Sequence, residues 1–435
     1  MRRALALAVL LALSPPAQGQ AETPDRIEIM RAAIALACHA KGRRDIETIG
    51  KRLPGIDPVA PLRKHAMLTQ GIRRTFPLAI GHLTIDWLAP RALLHSIRLH
   101  LDRDDRGTPS LYALVDHHCQ VQAARQIVYD DERRPERILH LGASLQPTGR
   151  EEPIDPPVPA AADPGGEPVA IIDTGVNYLL PAIGKRLARD AEGQLLGYDY
   201  WDLDQRPFDA NPFRSAFFPG RHGTEVASLI AAEAPVAKLL AYRFPRPDMG
   251  RFTDLVADAA RKGARIVNMS LASFHRQEWT AFEAAVADHP DILFVVAAGN
   301  NSRNLDRRPV FPAALSFANM ITVTAATMGG QLAKDGNWGP ATVDLMAPAD
   351  PIAVTSFDGT RQMVTGSSYA AARVTSLAAC LLAAYPDWST ERLKARLFAL
   401  AVEPSEDRLV SAGFIPEPVF GQQGACSTRR PEGAI

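Results

Sequence analysis

Two adjacent serines stand at the start of a strongly apolar stretch. Ser367 and Ser368 follow Gly366 and lead into RVTSLAACLLAAY, which contains neither Gly nor Pro and almost no charge. A helix that is apolar on nearly all sides is expected inside a domain. The serines would then lie in its first turn, where free N–H groups and the helix dipole favour developing negative charge. A hydroxyl placed there is either a nucleophile or an ordinary helix cap.

An acid, an imidazole and an amide occur at three other places where predicted elements begin or end. Asp173 follows the apolar run VAII, His222 starts a predicted helix, and Asn300 follows the apolar strand DILFVVAA. Each of them alone has an ordinary role in a turn or a cap. Together with a serine hydroxyl they supply what a serine hydrolase needs: a nucleophile, a base, an acid that orients the base and an oxyanion donor.

Alternating strand and helix patterns after about residue 168 must position these side chains. Unbroken apolar stretches such as PVAIIDT, ARIVNMS and DILFVVAA are separated by helical stretches such as TDLVADAARKG. Strands of this kind indicate a mostly parallel sheet covered by helices on both faces. We therefore predict a doubly wound α/β domain over 169–435. Ligands bind such sheets at the carboxyl ends of the strands, where Asp173 and Asn300 are expected.

The chain before this domain divides into three predicted parts. Residues 1–21 have a basic start, a ten-residue apolar run and small residues, as in an export signal. Residues 22–146 mix helical and strand patterns and predict a smaller α+β domain. Residues 147–168 are dense in Pro, Gly and acidic residues and predict an exposed linker. We expect an exported protein, periplasmic or secreted, without a stable membrane anchor.

The composition argues against an electrostatically guided partner. The chain has 48 basic and 48 acidic side chains, and 46% of its residues are hydrophobic. Such a balance is ordinary for a globular protein and gives no global field toward nucleic acid. We therefore expect no nucleic-acid partner.

Four cysteines allow three pairings, and the sequence does not choose among them. Export favours two bridges. Cys38–Cys119 with Cys380–Cys426 is the simplest assignment, because each bridge then stays within one region. Alternatively, Cys380 is a small buried apolar residue in its helix.

The motifs around the four chemical residues resemble those of the subtilisin-like serine proteases, the subtilases. The resemblance covers roughly 168–420, and the motifs follow that family's order of Asp, His and Ser. NMSLAS resembles the family's substrate-lining strand, and AAGN resembles its oxyanion-hole segment. The three signature segments are Asp173-Thr174-Gly175, His222-Gly223-Thr224 and Gly366-Ser367-Ser368.

The resemblance implies an endopeptidase that acts on proteins or peptides through an acyl-enzyme. Ser368 would attack the scissile carbonyl, His222 would carry the proton, and Asp173 would orient the imidazole. Asn300 and the Ser368 N–H would stabilise the oxyanion. The residues implied to contact substrate are Ser270, Leu271, Ala272 and Gly299. Because such proteases are commonly made with a propeptide, residues 22–146 are implied as a propeptide that acts as an intramolecular inhibitor; the alternative is an accessory domain that is retained.

Three residues depart from the family pattern close to the predicted site. Tyr369 stands where the family most often has Met, and Glu225 replaces a common His. Ala272 replaces a common Gly, and its extra methyl group leads us to expect a restricted first subsite.

A group of aspartates resembles a calcium-binding loop of some relatives. Asp202, Asp204 and Asp209 offer the oxygen ligands that Ca²⁺ prefers. We favour an exposed acidic turn there, and we expect neither a metal nor an organic cofactor at the catalytic residues.

Two other functions are weaker interpretations of the same residues. A catalytically silent subtilase fold used for binding would require a damaged site, and all four chemical residues are present. An esterase of the α/β-hydrolase type requires Gly-x-Ser-x-Gly and a His after the Ser. Gly-Ser-Ser-Tyr-Ala breaks that pattern, and no His follows Ser368.

Overall fold

The computed structural model describes residues 25–40, 43–56, 66–68, 71–89, 94–403, 409–420 and 426. The chain divides into two compact units. The first comprises residues up to 129 together with 138–152, and the second comprises 130–137 together with 153 onward. The predicted export signal at 1–21 lies outside the described residues.

The first unit is an antiparallel sheet with a helix against one face, in agreement with the predicted α+β class. Helix α1 (Arg26–Cys38) packs against the fourth and fifth strands and is followed by α2 (Arg43–Thr48). Eight strands follow one another across the sheet in chain order. They are β1 (Ala66–Leu68), β2 (Gly71–Leu78), β3 (Gly81–Leu88), β4 (Ser96–Asp102), β5 (Pro109–Asp116), β6 (Val121–Tyr129), β7 (Pro135–Leu141) and β8 (Pro147–Pro153).

The last of these strands lies inside the stretch that the sequence assigns to the linker. Residues 147–151 of β8 are exposed, and the strand lies at the edge of the sheet. An edge strand of this kind is held by its backbone hydrogen bonds rather than by buried side chains, so its polar composition does not reveal it. The irregular segment therefore begins at residue 154.

The second unit is an α/β domain whose sheet is parallel throughout, which confirms the predicted fold class. Across the sheet, the strands run β10-β11-β9-β12-β13-β14-β15-β18. They are β9 (Glu167–Asp173), β10 (Tyr198–Asp199), β11 (Ala237–Arg243), β12 (Ile266–Met269), β13 (Leu293–Ala297), β14 (Met320–Thr327), β15 (Leu345–Asp350) and β18 (Gly413–Phe414); β16 (Ile352–Thr355) and β17 (Arg361–Val364) form a separate hairpin. The helices are α3 (Pro181–Gly184), α4 (Gly223–Glu233), α5 (Phe252–Arg261), α6 (Thr280–Asp288), α7 (Ser367–Ala384) and α8 (Thr390–Ala399).

Helices cover both faces of this sheet, and the central strands show why their sequences lack polar alternation. In β9, Val169 and Ile171 belong to the core that contains α4, α7 and α8. Ala170 and Ile172 point to the opposite core, under α5 and α6. Because both faces are buried there, the residues in the middle of the strand must all be apolar.

Helix α7 runs through the interior as predicted. Residues 367–382 are all buried. Among the described helices, α7 alone is long and apolar enough to cross a membrane, and 89% of it is buried inside the protein.

One buried cation on α7 joins three parts of the second unit. Arg373 is 2% exposed, and its Nε lies 2.8 Å from Oε1 of Glu233, the last residue of α4. Its Nη2 donates to Glu417 Oε1 at 2.9 Å. A buried charge is tolerated only when it is paired in this way.

Both predicted disulfides are present. Cys38 and Cys119 are bonded with a Cα–Cα distance of 5.8 Å. Cys380 and Cys426 are bonded with a Cα–Cα distance of 5.0 Å. The pairing within each region is thereby confirmed.

Residues 154–166 have no regular structure but are held onto the second unit by their backbone carbonyls and acidic side chains. Tyr178 Oη donates to the Pro156 carbonyl at 2.5 Å, and Arg189 Nη2 donates to the Pro159 carbonyl at 2.9 Å. Asp155 pairs with Arg206 at 2.7 Å. This segment is therefore more ordered than a free linker, while residues 160–163 are exposed.

Candidate active site

The predicted acid and base lie in direct contact at the carboxyl edge of the parallel sheet. Asp173 is the last residue of β9, and His222 immediately precedes α4. His222 Nδ1 lies 2.8 Å from Oδ1 and 3.0 Å from Oδ2 of Asp173. With Nδ1–H donating to the carboxylate, Nε2 is left to accept a proton. This is the tautomer that a general base requires.

A glycine lets the two elements approach this closely. A Cβ on Gly223 would lie 2.1 Å from the Gly175 carbonyl oxygen and 3.0 Å from the Asp173 Cβ. No side chain fits in that space. The Gly that follows His222 is thus required by the approach of α4 to the end of β9.

A second carboxylate, Asp209, holds together the segments that carry Asp173 and His222. It is fully buried. Thr174 Oγ1 donates to its Oδ1 at 2.6 Å, and the Thr224 N–H donates to its Oδ2 at 2.9 Å. The Thr174 hydroxyl in turn accepts the Gly223 N–H at 2.8 Å. Asp209 therefore links the residue after Asp173 to the first turn of the His222 helix.

The pKa of His222 is raised to about 9 by the carboxylates around it. Burial opposes the charged imidazolium, but the charge and hydrogen bond of Asp173 outweigh it, with further contributions from Asp209 and Glu225. The imidazole side chain is 32% exposed, so part of the ring is open to solvent. Burial also raises the pKa of Asp209, against the stabilising hydrogen bonds from Thr174 and Thr224.

Ser367 and Ser368 occupy the first turn of α7, and their roles separate there. Ser367 is fully buried, and its Oγ accepts the Gly299 N–H at 2.9 Å. Ser368 is 9% exposed, and the ring of the next residue, Tyr369, lies 6.0 Å from the His222 ring. The turn that carries Ser368 is therefore adjacent to the imidazole, whereas Ser367 holds the neighbouring loop.

Asn300 is fixed beside this turn by its own side chain. Its Oδ1 accepts the Ser367 N–H at 2.9 Å. The amide orientation is thereby set, and the Nδ2 group is left to donate to a ligand. An amide N–H next to the backbone N–H groups of a helix start is the arrangement of an oxyanion hole.

Asn337 shapes the loop that carries Asn300. It is fully buried, and its Oδ1 accepts the N–H groups of Asn301 and Arg303, both at 3.0 Å. Its Nδ2 donates to the Ala298 carbonyl at 2.8 Å. Gly299, at φ +91°, leaves the space for it, since a Cβ there would lie 2.8 Å from the Asn337 Nδ2.

The predicted substrate-lining residues follow β12. Ser270 Oγ donates to the Ser368 carbonyl at 3.4 Å and accepts from Asn268 Nδ2 at 3.2 Å. Leu271 is half-buried and Ala272 is exposed. The strand is thus anchored next to the first turn of α7, and the restricted subsite at Ala272 stays a prediction.

The three aspartates offered as a calcium group have separate protein partners. Asp202 pairs with Arg243, Asp204 pairs with Arg206, and Asp209 accepts from the two threonines described above. Within the described ranges, no group of three or more His, Cys, Asp or Glu side chains is arranged to hold a metal.

Sequence reasoning missed two of the residues that build this site. The sequence places Asp209 with its acidic neighbours in a predicted acidic turn. It lies thirteen residues before His222, and no local pattern links the two. Asn337 lies in an ordinary polar stretch, NWGP. Both act on segments far away in the chain, which a motif cannot reveal.

Comparison with known proteins places the second unit in a family. The model of the Subtilase family matches residues 165–414. The thermophilic serine proteinase of Bacillus sp. (strain AK1) is 33% identical over 233 residues, which are 50% of this chain and 52% of that protein. Alkaline serine exoprotease A of Vibrio alginolyticus is 28% identical over 264 residues, 58% of this chain and 45% of that protein.

Among solved structures, a cold-adapted subtilisin-like serine proteinase aligns with a TM-score of 0.48 and 24% identity, over 61% of this chain and 93% of that one. The chain spans about half the length of the curated relatives described above. Since the family model matches more than half of its 435 residues, the chain belongs to the subtilase family of serine peptidases.

Proposed function

We propose that this chain is an exported serine endopeptidase that hydrolyses peptide bonds through an acyl-enzyme. Ser368 is the nucleophile, His222 is the general base and then the general acid, and Asp173 orients the imidazole. The Asn300 Nδ2 group and the Ser368 N–H stabilise the oxyanion. The proposal rests most directly on the contact of His222 Nδ1 with both carboxylate oxygens of Asp173.

The chemistry follows from these positions. The Ser368 hydroxyl attacks the scissile carbonyl carbon while Nε2 of His222 takes its proton. The carbonyl oxygen becomes an oxyanion beside the first turn of α7, where N–H groups and the helix dipole stabilise it. His222 then gives the proton to the leaving amine. Water hydrolyses the resulting ester by the same steps, and Ser368 regains its proton.

A fluorophosphonate probe tests this proposal, because it phosphonylates only a serine activated by its neighbours. We expect covalent labelling of the wild-type chain, and we expect none in Ser368→Ala. Ser376→Ala is the matched control, since Ser376 is buried in the same helix and donates to the Ala372 carbonyl. It should label like the wild type. Absence of labelling in wild-type protein from which the first unit has been removed would favour the silent binding protein instead.

Export and a proenzyme form are further parts of the proposal. The signal-like residues 1–21 support export, and the two disulfides suit an oxidising compartment. The first unit has its own buried core. It folds as a separate body that can serve as an intramolecular inhibitor until it is removed.

A further inference from the structure

We propose that Glu225 and Tyr369 form a positioning pair that holds a negative charge beside His222 and stabilises its protonated form during the reaction. The inference rests on the proposed function, since it concerns the base of that site. Both residues depart from the pattern that the family most often shows, and the structure joins them to each other.

The pair bridges three elements around the base. Tyr369, in the first turn of α7, donates its hydroxyl to Glu225 Oε2, and Gln362 of β17 donates its amide to Glu225 Oε1. Glu225 lies in the first turn of α4, three residues after His222. Both of its oxygens are therefore occupied by donors, which fixes the carboxylate in place.

The tyrosine acts as a neutral anchor in this pair. It is 7% exposed. Burial, and then the neighbouring Glu225 carboxylate, raise the pKa of Tyr369 well above its usual range. The hydroxyl keeps its proton throughout the working pH range and can only donate to Glu225.

Three carboxylates face the imidazole from different elements. Asp173 contacts it from β9, Asp209 lies on the loop before α4, and Glu225 lies on α4; the neutral Tyr369 ring faces it from α7. Asp173 sets the tautomer through its hydrogen bond, and Asp209 is saturated by hydroxyl and backbone donors. Glu225 has no hydrogen bond to His222 within the described contacts, so its effect on the base is through charge.

This arrangement has a chemical consequence for the rate. A negative charge nearby makes His222 a stronger base and lowers the energy of the imidazolium that forms when Ser368 attacks. The same charge raises the pH at which the resting imidazole gives up its proton. The enzyme gains base strength and works at a more alkaline pH.

The test is the pH dependence of fluorophosphonate labelling from about pH 6 to about pH 11, on the protein as it accumulates after expression of the full chain. The wild-type labelling rate should rise with a midpoint at about 9, as His222 loses its proton. Glu225→Gln keeps the shape and an acceptor for the tyrosine but removes the charge. We expect its midpoint to fall by about one pH unit and its plateau rate to fall as well.

Two further variants separate the effect of the Glu225 charge on the midpoint from the effect of its hydrogen bonds on the plateau rate. Glu391→Gln removes one carboxylate from the exposed first turn of α8 and should retain the wild-type midpoint. Tyr369→Phe retains the charge and the ring, so its midpoint should also stay while its plateau falls because Glu225 loses an anchor. If Glu225→Gln labels too slowly to follow, NMR titration of the imidazole in Ser368→Ala, with and without Glu225→Gln, gives the same difference.

The outcomes distinguish a failure of the positioning pair from a failure of the proposed function. A midpoint in Glu225→Gln equal to that of Glu391→Gln overturns the positioning pair alone. Wild-type protein that lacks the first unit and still does not label at any pH overturns the proposed function, and with it this inference.

Discussion

Asn300 commits one of its two amide atoms to the protein and keeps the other for a ligand. Its Oδ1 accepts the Ser367 N–H, so the side chain cannot rotate without losing that bond. The loop below it is held by Asn337 through the N–H groups of Asn301 and Arg303. The donor is therefore in place before a substrate arrives, which is the condition under which an oxyanion hole is most effective.

Replacing Asn300 tests this role with little structural disturbance. Asn300→Asp retains an acceptor for the Ser367 N–H but substitutes an oxygen for the donating Nδ2. In subtilisin, loss of such a donor costs about 10²–10³ in kcat, and we expect a loss of at least that size here with little change in KM. Steady-state hydrolysis of a peptide substrate measures both constants. Asn301→Asp, a neighbouring exposed residue, is the control; an equal loss there would argue against a specific role of Asn300.

At the scale of elements, β9 and α4 are joined through the buried Asp209. The carboxylate accepts from Thr174, which follows the end of the strand, and from Thr224 in the first turn of the helix. These bonds hold the two elements that carry Asp173 and His222. Asp209 is thus a positioning residue, whose bond to His222 within the described contacts goes to the backbone N–H and not to the ring.

Asp209→Asn should lower both stability and activity. The substituted amide places a donor against the Thr224 N–H, and leaving buried donors unsatisfied costs about 2–3 kcal/mol. We expect the free energy of unfolding to fall by that amount in a Ser368→Ala background, which prevents self-digestion, measured by denaturant titration. In the active background, kcat should fall because the contact of Asp173 with His222 loosens. Asp291→Asn, at an exposed position, should change neither quantity, and an Asp209→Asn variant that behaves the same way would contradict this account.

The sequence predicted the elements whose signals are local. The apolar runs of β9 and β13 and the nearly uncharged stretch of α7 predict a doubly wound sheet with polar residues at strand ends. The residues that hold the site together were missed, because their partners are distant in the chain: Asn337 lies 37 residues after Asn300 and contacts its loop through side-chain bonds. The start of α5 also differs from the sequence pattern. Thr253 begins the stretch TDLVADAARKG that the sequence predicts as a helix, but α5 begins one residue earlier, at Phe252, after a short 3₁₀ turn that Asp248 caps.

At the scale of the whole molecule, residues 154–166 are the irregular segment of the second unit between the last strand of the N-terminal sheet and β9. Several carbonyls and acidic side chains of this segment are bonded to the second unit, but residues 160–163 are exposed. Exposed, irregular backbone is where proteases cut. If the first unit is an inhibitory propeptide, this is where it is expected to be released.

N-terminal sequencing of the purified protein tests that expectation. The wild-type chain should begin between residues 154 and 168, and Ser368→Ala should retain the first unit because it cannot cut itself. Adding a small amount of wild-type enzyme to Ser368→Ala should produce the same new N-terminus if cutting occurs between molecules. A wild-type protein that starts near residue 22 would instead identify the first unit as a permanent accessory domain.

The buried Arg373 also bears on when, during synthesis, α7 and α4 can pack together. Its guanidinium joins α7 to Glu233 of α4 and also pairs with Glu417, which is synthesised 49 residues after Ser368. Until the ribosome has passed that residue, packing α7 against α4 would bury a cation that lacks one of its two carboxylates, at a cost of several kcal/mol. If Ser368 and His222 act as proposed, we expect the chain to need Glu417 before α7 and α4 can pack stably and bring the two residues together.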